Sequence, residues 1–141
     1  MPILSNVGRF EAEDSTGNKA YTGVGFQPKV LIIFGNLLNN ATAVATYSSF
    51  GGAVSSTSRF AITTRAEDAQ AFTITTRRQD NTKCITVIGD DPAVVKYAAD
   101  LVSLDADGFT LNWTTTSATE DWFSYLALGG SSINTWQPGK T

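Results

Sequence analysis

Four carboxylate pairs are the side chains whose type and spacing could do chemistry in this sequence: Glu67/Asp68, Asp90/Asp91, Asp105/Asp107 and Glu120/Asp121. Glycoside hydrolysis needs two carboxyl groups facing one another across a sugar, one of them held protonated. Adjacent residues on a strand point to opposite faces, so the sequence pairs do not supply that arrangement by themselves. Asp105-Ala106-Asp107-Gly108 is a fragment of a calcium loop, but the remaining ligand positions and the closing glutamate are missing, and the fragment reads as a tight turn. The chain has no histidine and one cysteine. Ser-His-Asp and Cys-His nucleophile systems and the usual His-bearing zinc sites are therefore excluded. Gly23-Val24-Gly25 runs into Phe26-Gln27-Pro28 rather than into a helix, so it is no dinucleotide fingerprint. Cys84 sits among mostly apolar neighbours, which suits a small buried strand residue and not an activated thiolate. Five aromatic residues, Tyr47, Trp113, Trp122, Tyr125 and Trp136, would make a sugar-stacking platform if one face gathered them; aromatics at strand spacing otherwise build a core. The expectation is a protein with no catalytic residues, no metal and no cofactor, and not an enzyme.

The elements that must position these groups follow from composition and period. The chain has 141 residues, enough for one domain with a buried core. Charged residues make up only 16%, and Ser and Thr take their place as surface polar groups. Hydroxyls cost less to desolvate than ammonium groups, so such surfaces suit contacts with neighbouring molecules. The net charge is −3, and Arg65, Arg77, Arg78 and Lys83 are the nearest approach to a basic stripe, so no nucleic-acid partner is expected. Val30–Phe34 is the longest apolar run, too short to cross a bilayer, and no signal peptide is legible; no membrane partner is expected.

Taken in order, Met1–Leu4 opens an apolar arm, residues 1–7. Gly8–Ala12 and Ala20–Val24 read as strands of one hairpin turning at 14–18. Pro28 precedes the strand Lys29–Gly35, whose Val30–Phe34 run has no polar side and predicts cover on both faces, the second from a long loop or another subunit. Leu37–Ser58 reads as long contact loops around a strand Ala43–Phe50 that Gly51-Gly52 terminates. The motif F-x-I-T-T-R-x-x-D occurs at Phe60 and again at Phe72, a strand-turn-strand similarity within one layer. Lys83–Ile88 is a further strand. Asp90-Asp91-Pro92 resembles a helix start, but residues 93–102 alternate and read as a strand in preference to a helix. In Leu101–Gly130, a turn at Asp105–Gly108 leads into Phe109, Leu111 and Trp113 on one face and Thr110, Asn112 and Thr114 on the other. The unit predicts the middle of one sheet. Residues 131–141 form a tail with Trp136. The fold class expected is all-β: a single-domain antiparallel β-sandwich, jelly-roll-like, spanning 1–141.

Three segments then carry a resemblance: Gly23–Val30 (GVGFQPKV), Asp105–Trp113 (DADGFTLNW) and Tyr125–Gly130 (YLALGG). In order and spacing they are similar to a domain that recurs in structural proteins of tailed bacteriophages, over about Tyr21 to Gly130; Leu37–Ile88 falls largely outside the quoted segments. None of the three is a catalytic motif. The resemblance implies a virion component, and the shortness of the chain and its lack of a stalk make it look like a capsid decoration or cement protein. Such a protein would lie on the capsid surface of a virion assembled in the host cytoplasm. It would bind the major capsid protein and itself as a homotrimer. The other reading is a glycan- or receptor-binding module of a tail tip or head fibre, with a host-surface glycan as partner. The interaction residues expected are Ile3 and Leu4 in the arm, Tyr47 and Phe50 in the middle, and Trp136 in the tail.

Overall fold

A computed structural model of the chain describes residues 2–38, 45–67, 71, 74–89, 94–118 and 121–133. Among them every regular element is a strand: β1 (Leu4–Glu11), β2 (Gly17–Thr22), β3 (Pro28–Leu38), β4 (Ala45–Ser55), β5 (Ser58–Glu67), β6 (Ile74–Asp80), β7 (Ile85–Ile88), β8 (Val95–Asp105), β9 (Gly108–Thr115) and β10 (Trp122–Gly129). Six form one sheet in the order β1-β10-β3-β4-β5-β6, and four form the other in the order β2-β9-β8-β7, with every pairing antiparallel. The two sheets pack face to face as the expected β-sandwich. The jelly-roll element is half of the topology: the first strand pairs with the last and the second with the one before it. The remaining strands run as meanders, β3 to β6 and β7 to β9.

Alternation decides which side chains fill the space between the sheets. Leu31 and Ile33 of β3, Tyr97, Ala99 and Leu101 of β8, Phe109, Leu111 and Trp113 of β9, and Phe123, Tyr125 and Ala127 of β10 all point inward and are buried. The core is aromatic at its centre, with Phe10 stacked on Phe123 at 5.8 Å and Tyr97 edge-on to both Trp113 and Phe123.

Several sequence expectations are corrected here. Residues 8–24 are not a hairpin: β1 pairs with β10 and β2 with β9, so the chain crosses between sheets after Glu11, and the Ala12 N–H donates to the Asp121 carbonyl at 2.8 Å. The N-terminal arm is largely strand, since Leu4 already pairs with Gly129. Gly51-Gly52 does not end β4, which continues to Ser55, and the region read as loops is mostly the β4–β5 hairpin with its turn at Ser56-Thr57. The described parts of the two motif copies lie side by side in β5 and β6, running antiparallel with Arg65 opposite Thr76. Residues 95–105 are a strand, while the helix-start signal at Asp90–Pro92 lies outside the described residues. Leu101–Gly130 is divided: its hairpin, β8–β9, forms the middle of the four-stranded sheet, and β10 enters the six-stranded one.

Candidate functional site: buried polar pairs and an apolar outer face

The carboxylates take up structural partners. Asp107 accepts N–H bonds from Gly23 at 3.2 Å and Gly25 at 2.5 Å, and both glycines hold positive φ, 89° and 86°. Two of the three segments behind the resemblance are thus one structural unit, with the Asp105–Gly108 turn pinning the GVGF loop. Asp105 accepts from the hydroxyls of Ser103 and Thr110, each at 2.7 Å, and so shapes its own turn. Glu67 pairs with Arg65, and Asp121 pairs with Lys96. Asp68, Asp90, Asp91 and Glu120 lie outside the described residues. Among the described residues, no three His, Cys, Asp or Glu side chains come together as a metal site, and no helix is long and apolar enough to cross a membrane.

Sequence spacing gave no sign of the polar cluster between the sheets. Tyr47, expected as a contact residue, is 1% exposed, because the inward positions of β4 are odd-numbered and Phe50 takes the outward side. The Tyr47 ring lies 5.7 Å from the Arg65 guanidinium and 5.3 Å from the Lys96 ammonium. Arg65 donates to Glu67 at 2.7 Å. Burial alone would lower the Arg65 pKa, but the Tyr47 hydroxyl and the Glu67 carboxylate outweigh it and the net shift is upward, so the guanidinium stays charged. Lys96 Nζ donates to Asp121 Oδ2 at 2.9 Å, joining β8 of one sheet to the entry of β10 in the other. The Arg65–Glu67 pair lies within β5, and the Lys96–Asp121 pair fastens the two sheets together.

The five aromatics do not form one platform. Trp113 is in the core, its indole N–H donating to the Tyr21 hydroxyl at 2.9 Å, and Tyr21 in turn donates to Glu13 at 3.3 Å. Tyr47 and Tyr125 also lie inside, Trp122 alone among the described members faces outward, and Trp136 lies outside the described residues. Arg65 is buried, Arg77 and Arg78 are exposed and Lys83 is half-buried, so no basic stripe forms.

Cys84 is fully buried immediately before β7, its thiol donating to the Ala99 carbonyl at 3.4 Å. Burial first, and the charge of Asp100 second, push the thiol from 9.0 up to about 12. Burial likewise raises the Tyr21 and Tyr125 phenols, helped by Glu13 and Asp107 respectively and opposed at Tyr21 by the Trp113 hydrogen bond. All three are acids that the folded chain keeps protonated longer than the unfolded chain does. The Cys84 contribution is therefore complete below 9.0 and is lost as pH rises through the interval from 9.0 to about 12, while those of the two tyrosines begin to be lost only as pH rises past 10.0. Urea unfolding at increasing pH should show stability falling above about pH 9 by roughly 1.4 kcal/mol per unit from Cys84 alone. Cys84→Ala should flatten that slope, and an unchanged slope would remove the thiol from the account.

The outer faces of the two sheets differ in kind. On the four-stranded sheet the outward residues of β9 are Thr110, Asn112 and Thr114, with Asn18 and Ala20 beside them on β2 and Asp100 on β8. Val102 is the one strongly exposed large hydrophobic residue on a strand of that sheet. On the six-stranded sheet, register aligns apolar side chains across the strands. In one row Val7 of β1 lies opposite Leu126, Leu126 opposite Ile32, Ile32 opposite Gly52, and Gly52 opposite Phe60. In the next row Phe34 lies opposite Phe50, and Phe50 opposite Ile62. Val7 is 76% exposed and Phe34, Phe50, Ile62 and Trp122 are 43–48% exposed. Phe50 and Phe60 lie 5.9 Å apart, and the Arg9 guanidinium lies 4.8 Å over Trp122. The exposed apolar area is on the order of 500 Å², at the upper end for a monomer and the size at which such a patch marks a contact surface.

The apolar run of β3 is part of this face. Leu31 and Ile33 point inward, Val30 is 3% exposed, Ile32 is half-buried and Phe34 is largely open, so the expected outer cover is present at the Val30 end and absent at the Phe34 end. Of the residues expected to make contacts, Phe50 lies at the centre of the face. Ile3 is 63% and Leu4 39% exposed, beside the β1 edge. No family model matches the chain, and neither a curated protein nor a solved structure matches it.

Proposed function

We propose that this chain is a virion structural protein of a tailed bacteriophage, a decoration or cement protein that binds the outside of the assembled head and bridges capsid subunits. The observation that carries the reading is the contrast between the two outer faces. A β-sandwich with an apolar, aromatic face on one sheet and a hydroxyl- and amide-bearing face on the other is shaped to work within an assembly. The resemblance of the GVGFQPKV, DADGFTLNW and YLALGG segments supplies the kind of assembly. The mechanism is mass action: a protein that binds the finished shell and not its precursor stabilises the shell by its binding free energy, and symmetry multiplies each weak contact. A glycan-binding module at a tail tip is the second reading, and it rests on the outward ring of Trp122.

The test is co-sedimentation of the purified chain with expanded heads and with unexpanded precursor heads. Saturable binding to expanded heads, together with a higher temperature of head disruption, is expected. Absence of binding to either form would refute the assignment.

A further inference from the structure

We infer that the outer face of the six-stranded sheet is a homotypic interface, on which a second copy of this chain packs face to face about a two-fold axis parallel to the strands. The inference stands apart from the virion reading, since it rests on the face alone.

An axis of that kind, placed between β3 and β4, lays β3 of one copy over β4 of the other, β10 over β5, and β1 over β6. Three features of the face match under this operation. At the centre, Phe34 of β3 meets Phe50 of β4, twice. At the side, the outward ring of Trp122 on β10 comes over the β5–β6 region. That region holds a shallow hollow of about 480 Å³, lined by Ile62, Arg77, Arg78 and Gln79. At the ends, one transverse row runs from Glu11, opposite Trp122 on the β1 edge, to Asn36 opposite Ser48, Ser48 opposite Thr64, and Thr64 opposite Arg77 on the β6 edge. The row carries an exposed carboxylate at one end and an exposed guanidinium at the other. The two-fold therefore brings Glu11 of each copy to Arg77 of the other, and the face is complementary to itself in charge as well as in shape.

The area is sufficient. Six strands about 4.8 Å apart and three rows of side chains give a face of roughly 29 by 20 Å, about 600 Å² from each copy. The total of about 1,200 Å² is the lower bound of a stable specific interface, which places the expected Kd near micromolar. Packing of sheet on sheet at about 10 Å closes the apolar layer and leaves the two polar four-stranded faces outward. The trimer that the resemblance implies would need this face to meet a different patch on its neighbour, because three-fold contacts are head-to-tail.

Sedimentation equilibrium across a micromolar concentration series tests the inference. The wild-type chain is expected to pass from monomer to dimer. Phe50→Ser, at a half-exposed position, should remain monomeric with an unchanged far-ultraviolet circular dichroism spectrum. Glu11→Lys and Arg77→Glu each place two like-charge contacts in the dimer and should each weaken it by about tenfold, while the double variant should return to within about twofold of wild type. That rescue keeps the test open even if Phe50→Ser fails to fold. A wild-type chain that is monomeric throughout, a trimer, or a dimer indifferent to Phe50→Ser and to the charge exchange overturns the inference. A monomer that binds heads would overturn this inference alone, and a dimer that ignores heads would overturn the proposed function alone.

Discussion

Replacing Lys96 with methionine should lower the unfolding free energy by about 3–5 kcal/mol, the cost of removing one partner of a buried ion pair. The Lys96 and Asp121 side chains are 13% and 5% exposed, and their charged atoms are 2.9 Å apart. Methionine has nearly the length of the lysine stem and fills its space beside Tyr47 and Tyr97, so the loss measures charge more than volume. The Asp121 carboxylate is then left between the sheets without the ammonium. The backbone of Asp121 also accepts the Ala12 N–H, so a shift of this residue would disturb the crossing from β1 toward β2. Urea unfolding monitored by tryptophan fluorescence would give the value. The double variant Lys96→Met/Asp121→Leu should recover at least about 2 kcal/mol of the loss, because an apolar pair of similar volume no longer holds a buried carboxylate deprived of its ammonium. A single variant that costs under about 1 kcal/mol would show that water reaches the pair and screens it.

This ion pair also shows what the sequence could and could not disclose. Lys96 on β8 and Asp121 just before β10 are 25 positions apart and belong to different sheets, and no local period links them. By contrast, Phe109, Leu111 and Trp113 alternate within one strand beside a glycine turn, and their burial was legible from spacing alone. Tyr47 and Phe50 are both expected as contact residues of the Leu37–Ser58 region. They are three residues apart, an odd step, so one strand must send them to opposite faces. The hairpin expected over 8–24 failed for a related reason. A turn signal at 14–18 is local, whereas the pairing of Leu4 with Gly129 depends on the far end of the chain. The apolar outer face was visible only in fragments, as Phe50, the Val30–Phe34 run and the Phe60–Ile62 pair. Register across six strands assembles the fragments into one surface, and register is a property of the folded sheet.

Gly51→Ala should be more damaging than its size suggests, with a loss of about 3 kcal/mol or more, at or beyond the upper end of ordinary overpacking. Gly51 is on the inward side of β4, where β7 of the opposite sheet passes. A β-carbon there would overlap the backbone carbonyl oxygen of Cys84 and lie 2.7 Å from that of Phe60. Neither is the end of a flexible side chain, so relief requires moving a strand. The neighbouring glycine is the control. A β-carbon on Gly52 would point to the outer face, with the Leu31 carbonyl oxygen at 3.0 Å and the Phe60 ring at 3.4 Å or more. The gain in strand propensity offsets that closer contact, and Gly52→Ala should fall within about 1 kcal/mol of wild type. Paired urea titrations of the two variants test the packing role, since β4 runs through both glycines to Ser55. A close approach between sheets is hurt only where the added carbon faces the other sheet. A large loss at Gly51 with near-neutrality at Gly52 would fix that packing role, the missing side chain of Gly51 making room for the backbone at Cys84.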